Sequence, residues 1–299
     1  MPEFSWTPEP ASGISQAFVA ANGQRFEVAE CGAGERLALC LHGFPELNYS
    51  WRFQMPMLAA RGWRVWAPNL RGYGASSRPE GVAAYAMDML VADVAALIDA
   101  SGAREVLLVA HDWGALIAWQ FAIQRVRPLV GLVIMNVPHP FVARREIRHW
   151  RQLRRSWYVF FFQLPKLPEL MMTRDGARGV RQAFVGMAVD KARFPEEVLN
   201  IYAAAALRPR AMTAMVNYYR ALLRFPPDAG DGRVEVPTLM LWGEEDAALN
   251  IRCTEGTEQW VADFTLRRLP GVSHWVQQEA PEAVNAHLAE WLDGLAVAR

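Results

Sequence analysis

The sequence predicts an α/β protein with a mostly parallel sheet, helices on both faces and one helical insertion. Three observations carry that prediction. Short apolar, β-rich runs alternate with helical patterns up to about residue 136. The alternation stops between Asn136 and Val236, and beyond Val236 it resumes. With 299 residues, 52% of them hydrophobic and 21% charged, the chain is long and apolar enough for a sizeable core.

The elements follow in order. After a Pro-rich opening, QAFVAANGQRFEVAEC sets two strand-like runs around Asn22-Gly23, a hairpin turn pair. RLALCLHG (36–43) and WRVWAPNL (63–70) read as strands. Met87, Leu90, Val91, Val94, Leu97 and Ile98 recur at helical spacing, and Gly102 stops that helix. EVLLVAHD (105–112) is a strand, WGALIAWQFAIQRV (113–126) a helix and LVGLVIMN (129–136) a strand. The intervening stretch is rich in Arg, Met and aromatics. Pro195 with Glu196 and Glu197 starts a helix there, and Pro209 ends it. VPTLMLWG (236–243) and FTLRRL (264–269) are strands again. A closing helix carries Val284, Leu288, Trp291, Leu292 and Leu295 on one face. The expected boundaries are a core in two parts, 1–138 and 231–299, around a helical cap, 139–230.

Composition excludes several roles. Lys+Arg and Asp+Glu are 31 each, which removes any global argument for nucleic acid or an anionic membrane. Cys31, Cys40 and Cys253 are odd in number and far apart, as expected of buried thiols in a reducing compartment. The start, MPEFSWTPEPASG, lacks the basic and apolar regions of a secretory signal, and no apolar run reaches the length of a membrane span. The expectation is a soluble, cytoplasmic protein without membrane insertion. No Cys/His cluster has metal-ligand spacing, and RGYG (71–74) lacks the P-loop Lys and the dinucleotide spacing. Neither a metal nor an organic cofactor is expected.

Ala110-His111-Asp112-Trp113-Gly114 ends a hydrophobic strand on a carboxylate. Ligands bind at the carboxyl ends of parallel strands, which puts Asp112 where chemistry belongs. Small flanking residues permit a sharp strand-to-helix turn. Taken alone, Asp112 also fits an ordinary helix N-cap.

The whole pattern resembles the α/β-hydrolase fold, specifically the epoxide hydrolases with an Asp nucleophile. HGFPE (42–46), NLRGYGASSRP (69–79), HDWG (111–114) and HWVQQEAP (274–281) carry the resemblance from about residue 15 onward. Asn69 stands where many relatives have Asp, and the elbow continues WGALIA where WGG is common. The resemblance implies Asp112 as nucleophile, Asp246 in LWGEEDAALN as acid and His274 as base, in the order nucleophile, acid, His. It also implies an oxyanion hole from the backbone N–H groups of Phe44 and Trp113. Tyr158 and Tyr219 take the positions of two proton donors, and Phe44, Trp113, Tyr158 and Tyr219 those of substrate contacts.

An Asp nucleophile selects a chemistry. It needs no deprotonation and can displace a leaving group from saturated carbon, where Ser would serve acyl transfer. An epoxide oxygen leaves as an alkoxide and needs a donor, which a phenol supplies. Met212, Met215, Val216, Tyr219, Leu222 and Leu223 form an apolar stripe that includes Tyr219 and omits Tyr218. Periodicity alone reads Tyr219 as core; its donor role, like that of Tyr158, rests on the resemblance. The implied substrate is a small apolar epoxide, with water, in a pocket lined by Phe44, Trp113, the YVFFF run and Met residues. Two rivals stay open. Haloalkane dehalogenases share the triad and could use Trp113 with Trp150 or Trp157 to hold a halide. A non-catalytic ligand-binding protein of this fold is the other. ARREIRHWRQLRR (143–155), with Arg144, Arg148, Arg151 and Arg155 at helical spacing, reads as a solvated helix face.

Overall fold

The computed structural model describes residues 3–297. Its strands are β1 (Ile14–Ala21), β2 (Gln24–Cys31), β3 (Arg36–Leu41), β4 (Arg64–Pro68), β5 (Glu105–His111), β6 (Gly131–Met135), β7 (Thr238–Gly243) and β8 (Phe264–Leu269). They form one sheet in the order β1-β2-β4-β3-β5-β6-β7-β8. The β1–β2 and β2–β4 pairs are antiparallel and all the others parallel. The hairpin turns at Asn22 (φ 46°) and Gly23 (φ 66°), two successive left-handed residues as a two-residue type I′ turn requires.

The helices are α1 (Gln54–Ala60), α2 (Met87–Ser101), α3 (Trp113–Ile123), α4 (Pro140–Glu146), α5 (Trp150–Arg155), α6 (Trp157–Phe161), α7 (Leu167–Met187), α8 (Glu196–Ala206), α9 (Ala211–Arg224), α10 (Val276–Glu279) and α11 (Pro281–Val297). Side chains alternate across the central strands. Leu39, Leu41, Leu108, Ala110 and Ile134 pack on the side of α2 and α3. Cys40, Leu107, Val109, Val133 and Leu241 pack on the other, with residues of α1 and α11. Burial on both faces is why these strands read as continuous apolar runs rather than alternating ones.

Between β6 and β7 the described chain holds six α-helices, α4 to α9, one short 3-10 helix (Lys191–Arg193) and no strand. α7 is broken at Arg174–Ala177, where four residues leave helical geometry. Two readings of this region need correction. The stripe on α9 does not separate Tyr219 from Tyr218: both are buried, while Leu223 is exposed. Tyr218 donates its hydroxyl to Arg71 O (2.8 Å) and packs on Tyr73 and Trp113. The polar stripe of α9 runs through Thr213, Asn217, Arg220 and Arg224, and the rest of its middle turns, both tyrosines included, is buried. The Arg run is also not one solvated face. It breaks between α4 and α5, and Arg155 is half-buried, donating Nη1–H to Asp246 O at 2.8 Å.

All three cysteines are buried and free. No helix among the described residues is long and apolar enough to cross a membrane.

Candidate active site

β5 runs into α3 through a single residue. Asp112 has φ 47° and ψ −120°, a strained conformation for a residue with a side chain. Its neighbours explain how it is tolerated. A Cβ on Gly43 would lie 2.3 Å from Asp112 Cβ, and one on Gly114 would lie 2.2 Å from Leu41 O. Only glycine lets the elbow sit this close to β3. Asp112 occupies the N-cap position of α3, yet its side chain makes no capping hydrogen bond. Instead Oδ1 accepts from Phe44 N (2.7 Å), and Oδ2 lies 3.5 Å from His274 Nε2.

His274 follows β8 and turns its Nδ1 to Asp246 Oδ2 at 2.7 Å. Asp246, beyond β7, also accepts from Asn136 Nδ2 (2.6 Å), Ala248 N (2.7 Å) and Leu249 N (2.9 Å). Burial opposes the charge on Asp112 and Asp246, but His274 and the hydrogen-bond donors outweigh it and hold both below the usual carboxylate range. Burial likewise opposes a charged His274. The two carboxylates prevail and lift its pKa to about 10.

Beneath this triad lies a buried polar cluster that the sequence reading gave no role. Glu46 Oε2 accepts from Gly43 N (2.9 Å) and His111 Nδ1 (2.7 Å), and Oε1 accepts from Gln277 and Gln278 Nε2 (2.8 Å each). His111 Nε2 faces His274 O at 2.9 Å. The cluster ties the HGFPE loop, the elbow and the His274 loop together. Asn136, at the end of β6, was also missed. Its place at a parallel strand's carboxyl end was the available signal.

Asp112 and His274 open into a cavity of about 400 Å³ whose wall includes Tyr158, Phe162, Met172 and Tyr219. Arg155 and Trp157 also line it. The rings of Tyr158 and Tyr219 meet edge to face, centroids 5.9 Å apart. Burial, then the Asp112 charge, push both phenols above their ordinary pKa, so both carry their protons at neutral pH. Val159 and Phe160 of the YVFFF run are not in that wall, and neither is the Trp113 side chain, contrary to the pocket expected from sequence. The Trp113 ring is buried behind it, edge-on to Tyr219 with centroids 4.9 Å apart. Its backbone N–H is the first of α3 and has no acceptor within the helix. The Phe44–Pro45 peptide is cis.

Comparison with known proteins agrees with this geometry. Residues 39–281 match the family model of the alpha/beta hydrolase fold. The chain is 33% identical to Epoxide hydrolase 1 of Caenorhabditis elegans, with 96% of this chain and 72% of that protein aligned. It is 31% identical to Epoxide hydrolase A of Mycobacterium tuberculosis, with 94% and 98% aligned. Its fold is similar to the crystal structure of an epoxide hydrolase from Bacillus megaterium, at a TM-score of 0.86 and 30% identity over 93% of this chain and all of that one. A sheet that delivers Asp, acid and His in this order, matched over nearly the whole chain, places the protein in the epoxide hydrolase family of the α/β-hydrolase fold.

Proposed function

We propose that the protein hydrolyses small apolar epoxides to vicinal diols through a covalent ester on Asp112. One observation carries this reading: two protonated phenols, Tyr158 and Tyr219, share a cavity with the Asp112 carboxylate and His274. Asp112 Oδ2, which accepts no amide hydrogen bond, attacks an epoxide carbon. The carbon–oxygen bond breaks with its electron pair left on oxygen, and a tyrosine hydroxyl supplies the proton. The product of this half is an ester on Asp112 and a free hydroxyl on the neighbouring carbon.

Esterification removes one of the two negative charges that hold the His274 proton, so its pKa falls, the proton passes to solvent and the imidazole becomes a base. His274, still oriented by Asp246, takes a proton from water, and the hydroxide adds to the Asp112 carboxyl carbon. Negative charge collects on Oδ1, where the Phe44 N–H already points and the Trp113 N–H joins it. Collapse expels the diol as His274 returns the proton, the new Asp112 carboxyl hands its proton to the tyrosine, and His274 regains its own from solvent once the carboxylate is restored. Residues 139–230 serve as the cap that closes the site over the core formed by 1–138 and 231–299. Buried free thiols support a reducing, cytoplasmic location.

Halide release is the weaker reading. A dehalogenase needs indole N–H groups on the leaving halide; of the three candidates, Trp113 stands behind Tyr219, Trp150 projects into solvent, and Trp157 alone lines the cavity, as a largely exposed side chain. The test is intact-protein mass spectrometry after epoxide exposure. His274→Gln should accumulate an adduct of substrate mass and Asp112→Ala none. Absence of an adduct in the His274 variant, under conditions where wild type turns over, would overturn the two-step assignment.

A further inference from the structure

We infer that the helices around the cavity mouth form a docking surface for an anionic lipid bilayer. Three consecutive helices turn apolar side chains outward. In α5, Gln152 faces the protein, donating to Ala248 O and accepting from Asn250 N, both at 2.9 Å. Residues two positions away on a helix point to the opposite side. Trp150 and Arg154 therefore face solvent, and Trp150 is 71% exposed. In α6, Trp157 is 61% and Phe160 53% exposed. In α7, Leu167, Leu170 and Met171 stand at i, i+3 and i+4 on one outward face, with Leu170 62% exposed. Trp157 and Met171 also line the cavity, so this apolar surface leads into the site.

Exposed large apolar side chains scattered singly need no explanation, but a cluster at a cavity mouth marks an interaction. Its charge identifies the partner. Residues 143–178 contain nine Lys/Arg and three Asp/Glu, in a chain whose net charge is zero. Of the acids, Glu146 is taken by Arg145 and Arg252, and Glu169 by Arg220. Arg144, Arg148, Arg151 and Arg154 are exposed and have no ion pair among the described residues. A second copy is a poor occupant, because a two-fold contact would set these arginines against their own symmetry mates. A bilayer with anionic headgroups satisfies both parts. Guanidinium groups meet phosphates while Trp, Phe and Leu enter the boundary between headgroups and acyl chains. Docking is independent of the proposed reaction. Its consequence, that an epoxide dissolved in lipid enters without crossing water, rests on that reading.

The experiment is cosedimentation of the full chain with vesicles of phosphatidylcholine alone or mixed 3:1 with phosphatidylglycerol, an anionic fraction of about one quarter that supplies the surface potential argued for. Binding should favour the anionic vesicles and weaken as salt rises from about 0.05 to about 0.5 M. Each Arg→Gln change at 144, 148, 151 or 154 should weaken it about five-fold. The combined Trp150→Ser, Phe160→Ser and Leu170→Ser variant should lose most binding while keeping wild-type thermal stability and turnover of a short, water-soluble epoxide. Wild type left in the supernatant with anionic vesicles at low salt overturns the proposal. So does undiminished binding by the triple variant, or a solution dimer that those substitutions dissociate. Turnover without vesicle binding removes the docking claim alone, and vesicle binding without turnover removes only the catalytic one.

Discussion

Tyr158 on α6 and Tyr219 on α9 are far apart in the chain, yet their rings meet at 83° on one cavity wall. Gln163 fixes the pair of helices, its amide donating to Val159 O (3.0 Å) and Tyr219 O (2.9 Å). If both hydroxyls hydrogen-bond the leaving oxygen, losing one should cost about 10²- to 10³-fold in rate by analogy with oxyanion-hole donors. Either can partly replace the other, so Tyr158→Phe and Tyr219→Phe should each be milder than the double variant. Phe keeps the ring packing, so thermal stability should hold. Wild-type epoxide turnover by a folded double variant would remove the tyrosines from the reaction.

The elbow predicts a stability effect with no chemistry in it. Gly114 has an ordinary negative φ, and its N–H donates to His42 O at 3.0 Å. An added Cβ would meet the main-chain oxygen of Leu41 rather than a side chain that can turn away. Gly114→Ala should therefore destabilise by about 3 kcal/mol or more, at the upper end for overpacking. Gly186→Ala, where a Cβ meets nothing within 4 Å, is the control and should be near neutral. Chemical denaturation of the two variants checks this, and equal midpoints would contradict it.

Much of this was legible because the sheet is buried on both faces. β3, β5, β6 and β7 are runs of apolar residues that burial demands; Phe44, Asp112 and Asp246 come soon after three of them, while His274 follows the half-buried β8. Asp112 could be singled out from its strand end, while Asp246 and His274 were singled out by the family resemblance of the loops that carry them. Partnering between distant segments left no such trace. Glu46 and His111 were inside quoted motifs, but only the fold shows that Gln277 and Gln278 complete the cluster from 231 residues away or more. Tyr218 looked different from Tyr219 because a narrow apolar stripe was taken as the whole buried face, and α9 buries both tyrosines. Asn69, where relatives carry Asp, acquires a reason only in three dimensions. Its Nδ2 donates to buried Glu27 Oε2 at 2.6 Å, and an Asp there would face another carboxylate.

The Glu46 cluster is testable by a near-isosteric change. Burial opposes a charged Glu46, yet His111 and the Gly43 N–H hold its pKa below the usual range. Glu46→Gln replaces an acceptor with an amide that faces His111 or the Gln277 and Gln278 donors, leaving at least one donor unmet. Breaking a buried pair in this way costs about 3 to 5 kcal/mol. Activity should fall too, because the same donors hold the Phe44 loop and His274. Unfolding midpoints, together with burst and steady-state rates, separate the two effects. An unchanged midpoint would show that the cluster does not hold the loops.

Stability should peak near pH 6.5, for opposite reasons on the two sides. His42 and His139 are buried, and desolvation lowers both pKa values to about 4, against hydrogen bonds to Gly43 and Gly232 that work the other way. Below pH 6.5 the unfolded chain protonates these imidazoles first, so stability falls until the folded protein also protonates near pH 4. A shift of that size corresponds to about 3 kcal/mol per histidine as an upper bound. His274 has the opposite sign. Its folded pKa is raised to about 10, so its contribution is complete below pH 6.5 and is lost as pH rises toward 10. The raised phenols of Tyr158 and Tyr219 extend the alkaline loss, since the unfolded chain gives up those protons first. Urea midpoints at about pH 4.5, 6.5 and 9.5, converted with a common m-value, measure the curve. His274→Gln should flatten its alkaline limb and leave the acid limb in place. A wild-type midpoint that stays level from pH 6.5 down to 4.5 would mean that His42 and His139 are not held neutral by burial.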